Sequence, residues 1–394
     1  MRPINHQVSM VLKLSLIALA LNLAACAGTR KAVNEGDPED FVWPLPPDPP
    51  RIQFVKSVHS EMEIGRKRSL AQRIFEGIFG RAPLRALKKP LAVHTDQSGR
   101  VLVVDTGWRK VLIFDFQNKS LQILGNKGKG RLLNPLGVTT DDLGRIYVTD
   151  AGGQRVMIYD ANGKYLTAFG GQGVLVRPSG IAVNSKLGDG LPPIVYVVDT
   201  WAHQIKAFNS RTGNLLLTIG KSGKKPQNGN GLIEGTLDQA WNRGDGEGEF
   251  RFPTQIAIGP DGRLYVVDTL NFRVQIFTPN GKFVKTFGQV GNLPGNLYRP
   301  KGIGLDSEGH IYVSDAAFSN VQIFDRDGKL LLHFGSFGSG LADLRLPAGM
   351  YIDEQDQVYV VDQFNNRIQI YQYLSGTPTK EKELITTKKG GEKP

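Results

Sequence analysis

The residues of this sequence that most invite a chemical role are aspartates that recur at one position of a repeated pattern. They are Asp105, Asp150, Asp199, Asp268, Asp315 and Asp362. Five residues after each stand, in order, Lys110, Arg155, Gln204, Arg273, Asn320 and Arg367. A ring of carboxylates could hold a metal ion or carry out acid–base chemistry. A residue repeated in every copy is more simply structural, because Asp accepts hydrogen bonds from turn amides and Arg pairs with carboxylates. We therefore predict that the six aspartates, together with Arg155, Arg273 and Arg367, brace turns.

The aspartates belong to a pattern whose copies begin at Pro90, Pro135, Pro178, Pro253, Pro300 and Pro347. The clearest copy is PTQIAIGPDGRLYVVDTLNFRVQIFTPNGKFVKTFG, from Pro253 to Gly288. Each copy holds four short β-branched and aromatic segments separated by Gly-, Asp- and Asn-rich turns, which is typical of antiparallel hairpins. Consecutive four-stranded sheets of this kind predict an all-β fold, a six-bladed β-propeller.

The pattern P-x-G-(I/V)-x-V, then G-x-(I/L)-Y-V-x-D, then R-V-Q-I-F, then F-G resembles the NHL repeat. The resemblance extends from Pro90 to Tyr373. It implies a propeller, but it does not choose a function, because similar propellers bind many kinds of partner and some are enzymes.

The sixth copy supplies only three strand segments and then runs into SGTPTK. Upstream, residues 51–58 alternate like a strand and have no copy of their own. We expect them to pair with the third strand of the sixth blade and close the ring, since a free edge would expose unpaired backbone groups. The propeller domain is therefore predicted to span residues 51–374.

Candidate binding residues lie where the copies depart from one another. In a propeller, the loops between second and third strands share one end with the loops that lead into each new blade. The first set of loops contributes Trp108, Arg109, Trp201, His203, Phe272, Phe318 and Phe364. The second set contributes Arg177, Arg251, Arg299, Lys301 and Arg345. Aromatic and Arg side chains anchor interfaces and suit sugar rings and anionic groups. The alternative is that the aromatic side chains tuck into neighbouring blades.

Two enzyme classes occur among similar propellers. A zinc-dependent lyase that splits peptidyl-hydroxyglycine needs several histidines at the axis, because zinc favours imidazole ligands. Here only His94 and His203 come from an inner strand or the binding end. A calcium-dependent lactonase needs carboxylates near the axis. The inner-strand positions are His94, Thr139, Ala182, Ala257, Gly304 and Tyr351. We therefore expect no metal, no cofactor and no catalytic residue, and a metal-dependent hydrolase or lyase with a divergent axial site is the alternative.

The chain's single cysteine, Cys26, follows an apolar run that begins at Val11. Arg2 supplies a charged start and Ala24 and Ala25 precede the cysteine, which is the layout of a secretory signal. The segment LAAC also resembles the bacterial lipobox. This resemblance implies that residues 1–25 are removed and that Cys26 is lipidated. Two or more acyl chains anchor a protein firmly to a membrane.

The residue after the lipidated cysteine is Ala27 rather than Asp. In lipoproteins of diderm bacteria, this resemblance implies the outer membrane. The formal charge is +11, and removal of residues 1–25 takes away Arg2 and Lys13 and no acid, which leaves +9. A basic exported protein can favour an anionic lipid, glycan or protein partner, whereas export makes nucleic acid an unexpected target.

Four further segments complete the predicted organisation. Residues 26–50 are proline-rich and predict a stiff tether, in which Trp43 either docks on the domain or is solvated. Residues 69–80 predict an amphipathic helix that rests either on anionic membrane or on the propeller. Residues 221–249 form an insertion that we expect to overhang the binding end, and residues 375–394 are expected to be disordered. The sequence thus favours a monomeric, lipid-anchored scaffold of the cell envelope whose partner is a protein or an envelope polymer.

Overall fold

The computed structural model describes residues 37, 40–65, 85–185, 191–220 and 243–375. Two strands come first in the chain, β1 (Val42–Trp43) and β2 (Ile52–Val58). Blades 1 to 5 and the first three strands of blade 6 then follow in chain order, one sheet for each copy of the sequence pattern.

Blade 1 consists of β3 (Pro90–Thr95), β4 (Val101–Asp105), β5 (Lys110–Asp115) and β6 (Ser120–Leu124). Blade 2 consists of β7 (Pro135–Thr140), β8 (Ile146–Asp150), β9 (Arg155–Tyr159) and β10 (Tyr165–Gly170). Blade 3 consists of β11 (Pro178–Asn184), β12 (Ile194–Asp199), β13 (Gln204–Asn209) and β14 (Leu215–Ile219).

Blade 4 consists of β15 (Pro253–Ile258), β16 (Leu264–Asp268), β17 (Arg273–Phe277) and β18 (Phe283–Phe287). Blade 5 consists of β19 (Pro300–Leu305), β20 (Ile311–Asp315), β21 (Asn320–Phe324) and β22 (Leu330–Phe334). Blade 6 contains β23 (Pro347–Ile352), β24 (Gln357–Asp362) and β25 (Arg367–Tyr373). The fold is the six-bladed β-propeller that the repeat predicts.

The second strand of each blade is buried on both faces. Every residue of β4, β8, β16 and β20 is buried. Such strands lie between neighbouring blades, which explains why their sequences carry β-branched and aromatic residues on both faces rather than alternating with polar ones. The fourth strands lie on the outside, and residues of β14 and β22 are exposed in part.

The first strands of the blades form a closed inner ring. β3, β7, β11, β15, β19 and β23 contact one another in this order, and β23 contacts β3. The third residue of these strands is usually glycine because the neighbouring blade is close. A Cβ added at Gly137 would lie 2.3 Å from the carbonyl oxygen of Ser179, and one added at Gly349 would lie 2.7 Å from that of Leu91. In β15 this position is Gln255.

Residues 52–58 supply the fourth strand of blade 6. β2 pairs antiparallel with β25, and Phe54 lies opposite Tyr371. The rings of Phe54 and Tyr371 meet edge to face at 5.6 Å between centroids, and both side chains are buried. The blade thus joins the start of the domain to its end, as the incomplete sixth copy requires.

The predicted tether needs a correction at its C-terminal end. β1 pairs with β2 and becomes a fifth strand of blade 6. The ring of Trp43 packs against those of Phe334 and Tyr371, at 5.8 and 6.0 Å between centroids. The contacts of this partly buried aromatic ring hold the end of the proline-rich segment against the propeller.

Several predicted features lie outside the described residues. They are the signal over 1–25 with Cys26, the helix over 69–80, residues 221–242 of the insertion, and the tail from residue 376 onward. Within the residues that the structure does describe, no helix has the length and apolar character needed to cross a bilayer.

The closing strand generates a stability prediction. We expect Phe54→Ala to lower the free energy of unfolding by about 3–5 kcal/mol, because it removes a buried aromatic ring and leaves a cavity. The matched control is Val55→Ala on the same strand, whose side chain is exposed and whose loss should change stability by less than about 0.5 kcal/mol. Urea unfolding followed by circular dichroism measures both. Equal stability of the two variants would show that β2 does not hold blade 6.

Candidate functional site

The six repeated aspartates, which we call the brace aspartates, lie at the ends of the second strands and are fully buried. Their carboxylates accept hydrogen bonds from backbone N–H groups of the inter-blade loops, the loops that lead from one blade into the next. Asp315, for example, accepts from the amides of Tyr298 at 2.7 Å and Arg299 at 3.0 Å. A buried carboxylate is tolerated only with such donors. The brace aspartates therefore fix the backbone of the inter-blade loops.

These hydrogen bonds include the backbones of four predicted binding residues. The amides of Arg177, Arg251 and Arg345 each donate to the brace aspartate of their blade at 2.7 Å. Arg299 donates to Asp315 in the same way. Each arginine side chain consequently starts from a fixed point on its inter-blade loop.

The basic residues predicted to pair with the brace aspartates do so in some blades and not in others. Arg273 Nε donates to Asp268 at 2.9 Å, and Arg367 Nε donates to Asp362 at 2.7 Å. Arg155 lies farther from Asp150, at 3.7 Å. In blade 3 the partner lies two residues farther along β13 than the predicted Gln204. Lys206 Nζ lies 2.8 Å from Asp199.

Exposed aromatic side chains on the loop face, the end of the propeller that carries these loops, stack with cations. Arg177 lies over the ring of Trp201 at 4.8 Å from the centroid, and Trp201 is 47% exposed. Lys88 lies over the ring of Trp108 at 3.6 Å, and Trp108 is 38% exposed. Phe364 is 56% exposed. A desolvated cation–π pair contributes more than an exposed one, so coverage of these pairs by a partner would strengthen them.

Other predicted residues of the loop face are placed differently. Phe272 and Phe318 are half-buried on either side of Tyr298, with centroids at 6.1 and 6.4 Å. Arg109 and Arg251 are exposed. Arg345 lies 5.9 Å from the ring of Phe337, which is 74% exposed; sequence analysis missed this side chain.

His203 does not belong to the exposed face. Its side chain is buried, and its Nδ1 accepts a hydrogen bond from the amide of Phe252 at 3.0 Å. Its ring packs edge to face against that of Phe252, at 4.7 Å between centroids. Burial, with help from Arg243 and Arg251, lowers the pKa of His203 to about 4. The histidine is a neutral structural acceptor.

A cavity of about 550 Å³ opens on the axis of the loop face. Residues from all six blades line it, and they include Arg177, Trp201, Arg299 and Lys301 from the predicted set. Burial and the neighbouring Arg299 lower the pKa of Lys301, against a smaller opposing effect of Asp315. The volume is within the range of about 300–1,000 Å³ found for small-molecule sites.

The side chain of Gln255 reaches past blade 5 in this region. It belongs to blade 4, yet its Nε2 donates to the carbonyl oxygen of Met350 in blade 6 at 2.9 Å. Gln255 lines the cavity, so this hydrogen bond closes part of its floor. The signal in the sequence was a large polar residue at a position where the other first strands have glycine or, in β3, Ala92.

The inner-strand residues considered for metal chemistry have other partners. His94 Nε2 accepts from the amide of Thr140 at 3.1 Å, and the ring lies 4.1 Å from that of Tyr351. Burial lowers the pKa of His94 to about 3. In the described part of the chain, no group of three or more His, Cys, Asp or Glu residues is arranged to hold a metal ion.

Comparison with known proteins gives the class. The NHL repeat family model matches residues 250–277, and no curated protein sequence matches the chain. A solved auxiliary nutrient binding protein from Bacteroides thetaiotaomicron has 13% identity and a TM-score of 0.52, over 73% of this chain and 69% of that one. The chain is a six-bladed β-propeller with an NHL repeat.

Two enzymes are similar to the same extent. A gluconolactonase from Xanthomonas campestris has 15% identity and a TM-score of 0.52, over 73% of this chain and 87% of that one. A virginiamycin B lyase from Staphylococcus aureus has 13% identity and a TM-score of 0.50, over 75% and 86%. At these identities the likeness shows the fold alone.

The buried histidine makes stability depend on pH. Below the unfolded pKa of about 6.5, His203 is protonated in the unfolded chain but stays neutral in the folded protein. Its contribution to the free energy of unfolding is therefore lost as the pH falls toward about 4. His203→Asn keeps an acceptor and tolerates the positive φ. Between about pH 7 and pH 5, the native protein should lose about 2 kcal/mol more unfolding free energy than this variant. Urea unfolding at the two pH values measures both proteins. An equal loss of unfolding free energy in the native protein and in His203→Asn would contradict this.

Proposed function

We propose that the protein is a lipid-anchored binding protein of the cell envelope whose loop face holds a protein partner. The observation that carries this proposal is the set of exposed aromatic side chains stacked with cations at one end of the propeller. Trp201 with Arg177 and Trp108 with Lys88 are such pairs. Interfaces are enriched in Trp, Tyr, Phe and Arg, and these residues supply most of the binding energy.

Aliphatic side chains on the same face favour a protein over a polysaccharide. Leu293 and Val290 in the loop before β19 are exposed, and so is Leu270 after β16. Phe337 extends from the loop before β23. Sugar rings stack on aromatic faces, whereas branched aliphatic side chains gain most from an apolar protein surface.

The loops that carry these side chains share a rigid form. Short parallel bridges close three of them: Arg243 with Phe250, Val290 with Leu297, and Phe337 with Leu344. A preorganised surface loses little conformational entropy when it binds, so such loops suit a docking role.

The alternative, a metal-dependent hydrolase or lyase, has less support from the side chains at the axis. The brace aspartates are occupied by backbone amides, and His94 is occupied by Thr140. The attachment to a membrane rests on the sequence around Cys26.

Photo-crosslinking in cells tests the proposal. We expect a photoreactive residue at Trp108, Trp201 or Phe364 to give one discrete protein adduct. The control position is Leu143, which is equally apolar and exposed but lies in the β7–β8 turn at the opposite end. A saccharide ladder would assign the face to a polymer instead, and adducts at Leu143 alone would reject the loop face.

Cys26→Ser should release the protein from the membrane fraction; retention there would contradict the lipid anchor.

A further inference from the structure

The axial cavity is chemically divided. The second residue of each first strand faces it: Leu91, Leu136, Ser179, Thr254, Lys301 and Ala348. Around the ring, blades 6, 1 and 2 are neighbours and contribute the three apolar residues. Blades 3, 4 and 5 are neighbours and contribute the three polar ones. Because the repeat gives these positions equivalent backbones, the difference between the apolar and the polar half of the cavity comes from the side chains alone.

The polar half carries positive charge. Arg177 precedes β11, Arg299 precedes β19, and Lys301 is the second residue of β19; all three line the cavity. No Asp or Glu is among the lining residues that the structure describes. Between residues 40 and 375, as far as they are described, none of the three cations forms an ion pair with a carboxylate.

Hydroxyl groups complete the polar half. Ser179 Oγ lies 2.6 Å from Thr200 Oγ1, and Thr254 Oγ1 lies 2.8 Å from Thr269 Oγ1. These hydroxyls are already paired with one another, so the unneutralised cations dominate this side. Burial and Arg299 lower the pKa of Lys301, and a bound anion would raise it again.

The apolar half has no charge in its lining. Leu91, Leu136 and Ala348 face the cavity together with Val93 and Val138. A bare inorganic anion would leave this surface in contact with water. A neutral apolar molecule would displace water from the cations and offer them nothing in return, which is costly.

We propose that the axial cavity binds a small organic anion with an apolar body, its charged group against Lys301 and Arg177 and its body against Leu91 and Leu136. The volume of about 550 Å³ suits one such molecule. Gln255 limits how deep the ligand enters, because its side chain lines the cavity and reaches past blade 5 to Met350. This site goes beyond the proposed docking of a protein on the rim of the loop face.

Isothermal titration at low salt tests the site, with the full-length protein carrying Cys26→Ser so that lipid does not interfere. The probes are naphthalene carboxylate and naphthyl phosphate, which share a body and differ in the charged group. The comparison probes are inorganic phosphate and naphthalenemethanol, which each lack one half of the chemistry. We expect one site per chain for the first two and at least about tenfold weaker binding for the others. The tighter of the two naphthyl anions identifies the charged group.

Three variants locate the site. Lys301→Met and Leu136→Ser should each weaken naphthyl anions at least about tenfold. Lys329→Met, an exposed lysine in the turn at the other end of the same blade, should leave the affinity unchanged. Thermal unfolding of each variant checks that the propeller is intact.

Some outcomes would overturn the assignment. They are equal affinity for inorganic phosphate, equal affinity for naphthalenemethanol, no binding of either naphthyl anion, or no effect of Lys301→Met in a folded variant. Crosslinking from Phe364, which does not line the cavity, should persist in Lys301→Met. The site and the protein docking can therefore fail separately.

Discussion

The rest of this structure depends on the hydrogen bonds that a buried carboxylate accepts from the loop leading into its own blade. Each brace aspartate ends a second strand and is fully buried, where an ionised group needs hydrogen-bond donors from the protein. Among the residues that the structure describes, the donors common to all six blades are the amides of the inter-blade loop. Satisfying the carboxylate therefore fixes that loop, and the same set of contacts repeats around the ring.

This constraint explains how one repeated backbone carries a surface with specific chemistry. Because the brace holds the amides of Arg177, Arg251, Arg299 and Arg345, those side chains start from equivalent points around the axis. Differences between blades then come from side chains alone. The cavity is apolar toward blades 6, 1 and 2 and basic toward blades 3, 4 and 5, although the strands beneath it are alike.

The repeat made the blades predictable, since strand segments and turn residues recur in register. The pairing of β2 with β25 also followed, because one copy lacked a strand and one segment lacked a copy. The structural role of the brace aspartates was also predictable, because they recur in every copy of the pattern. The sequence left open whether Trp43 docks on the domain or is solvated, because two residues carry no period and prolines surround them, and the structure shows that it docks. The burial of the His203 ring was not predictable, because the equivalent residue Arg109 has the same left-handed backbone, at φ 54°, and is exposed.

The division of the cavity was hidden for a different reason. Lys301 was selected from the sequence, but its apolar neighbours Leu91 and Leu136 look like ordinary strand residues until the ring places them at the axis. Gln255 was visible as an exception to glycine. Its reach to Met350 depends on the diameter of the inner ring, which no single copy of the pattern contains.

The most direct test of the bracing constraint is hydrogen exchange of the Tyr298 and Arg299 amides in Asp315→Asn. The amide side chain turns an NH₂ group toward two donors, so local protection should fall at least about tenfold while the equivalent amides of Leu133 and Asn134 in blade 2 keep theirs. That result is what a local brace predicts. Unchanged exchange at Tyr298 and Arg299 would contradict the account, since the loop would then be held by something other than the buried carboxylate.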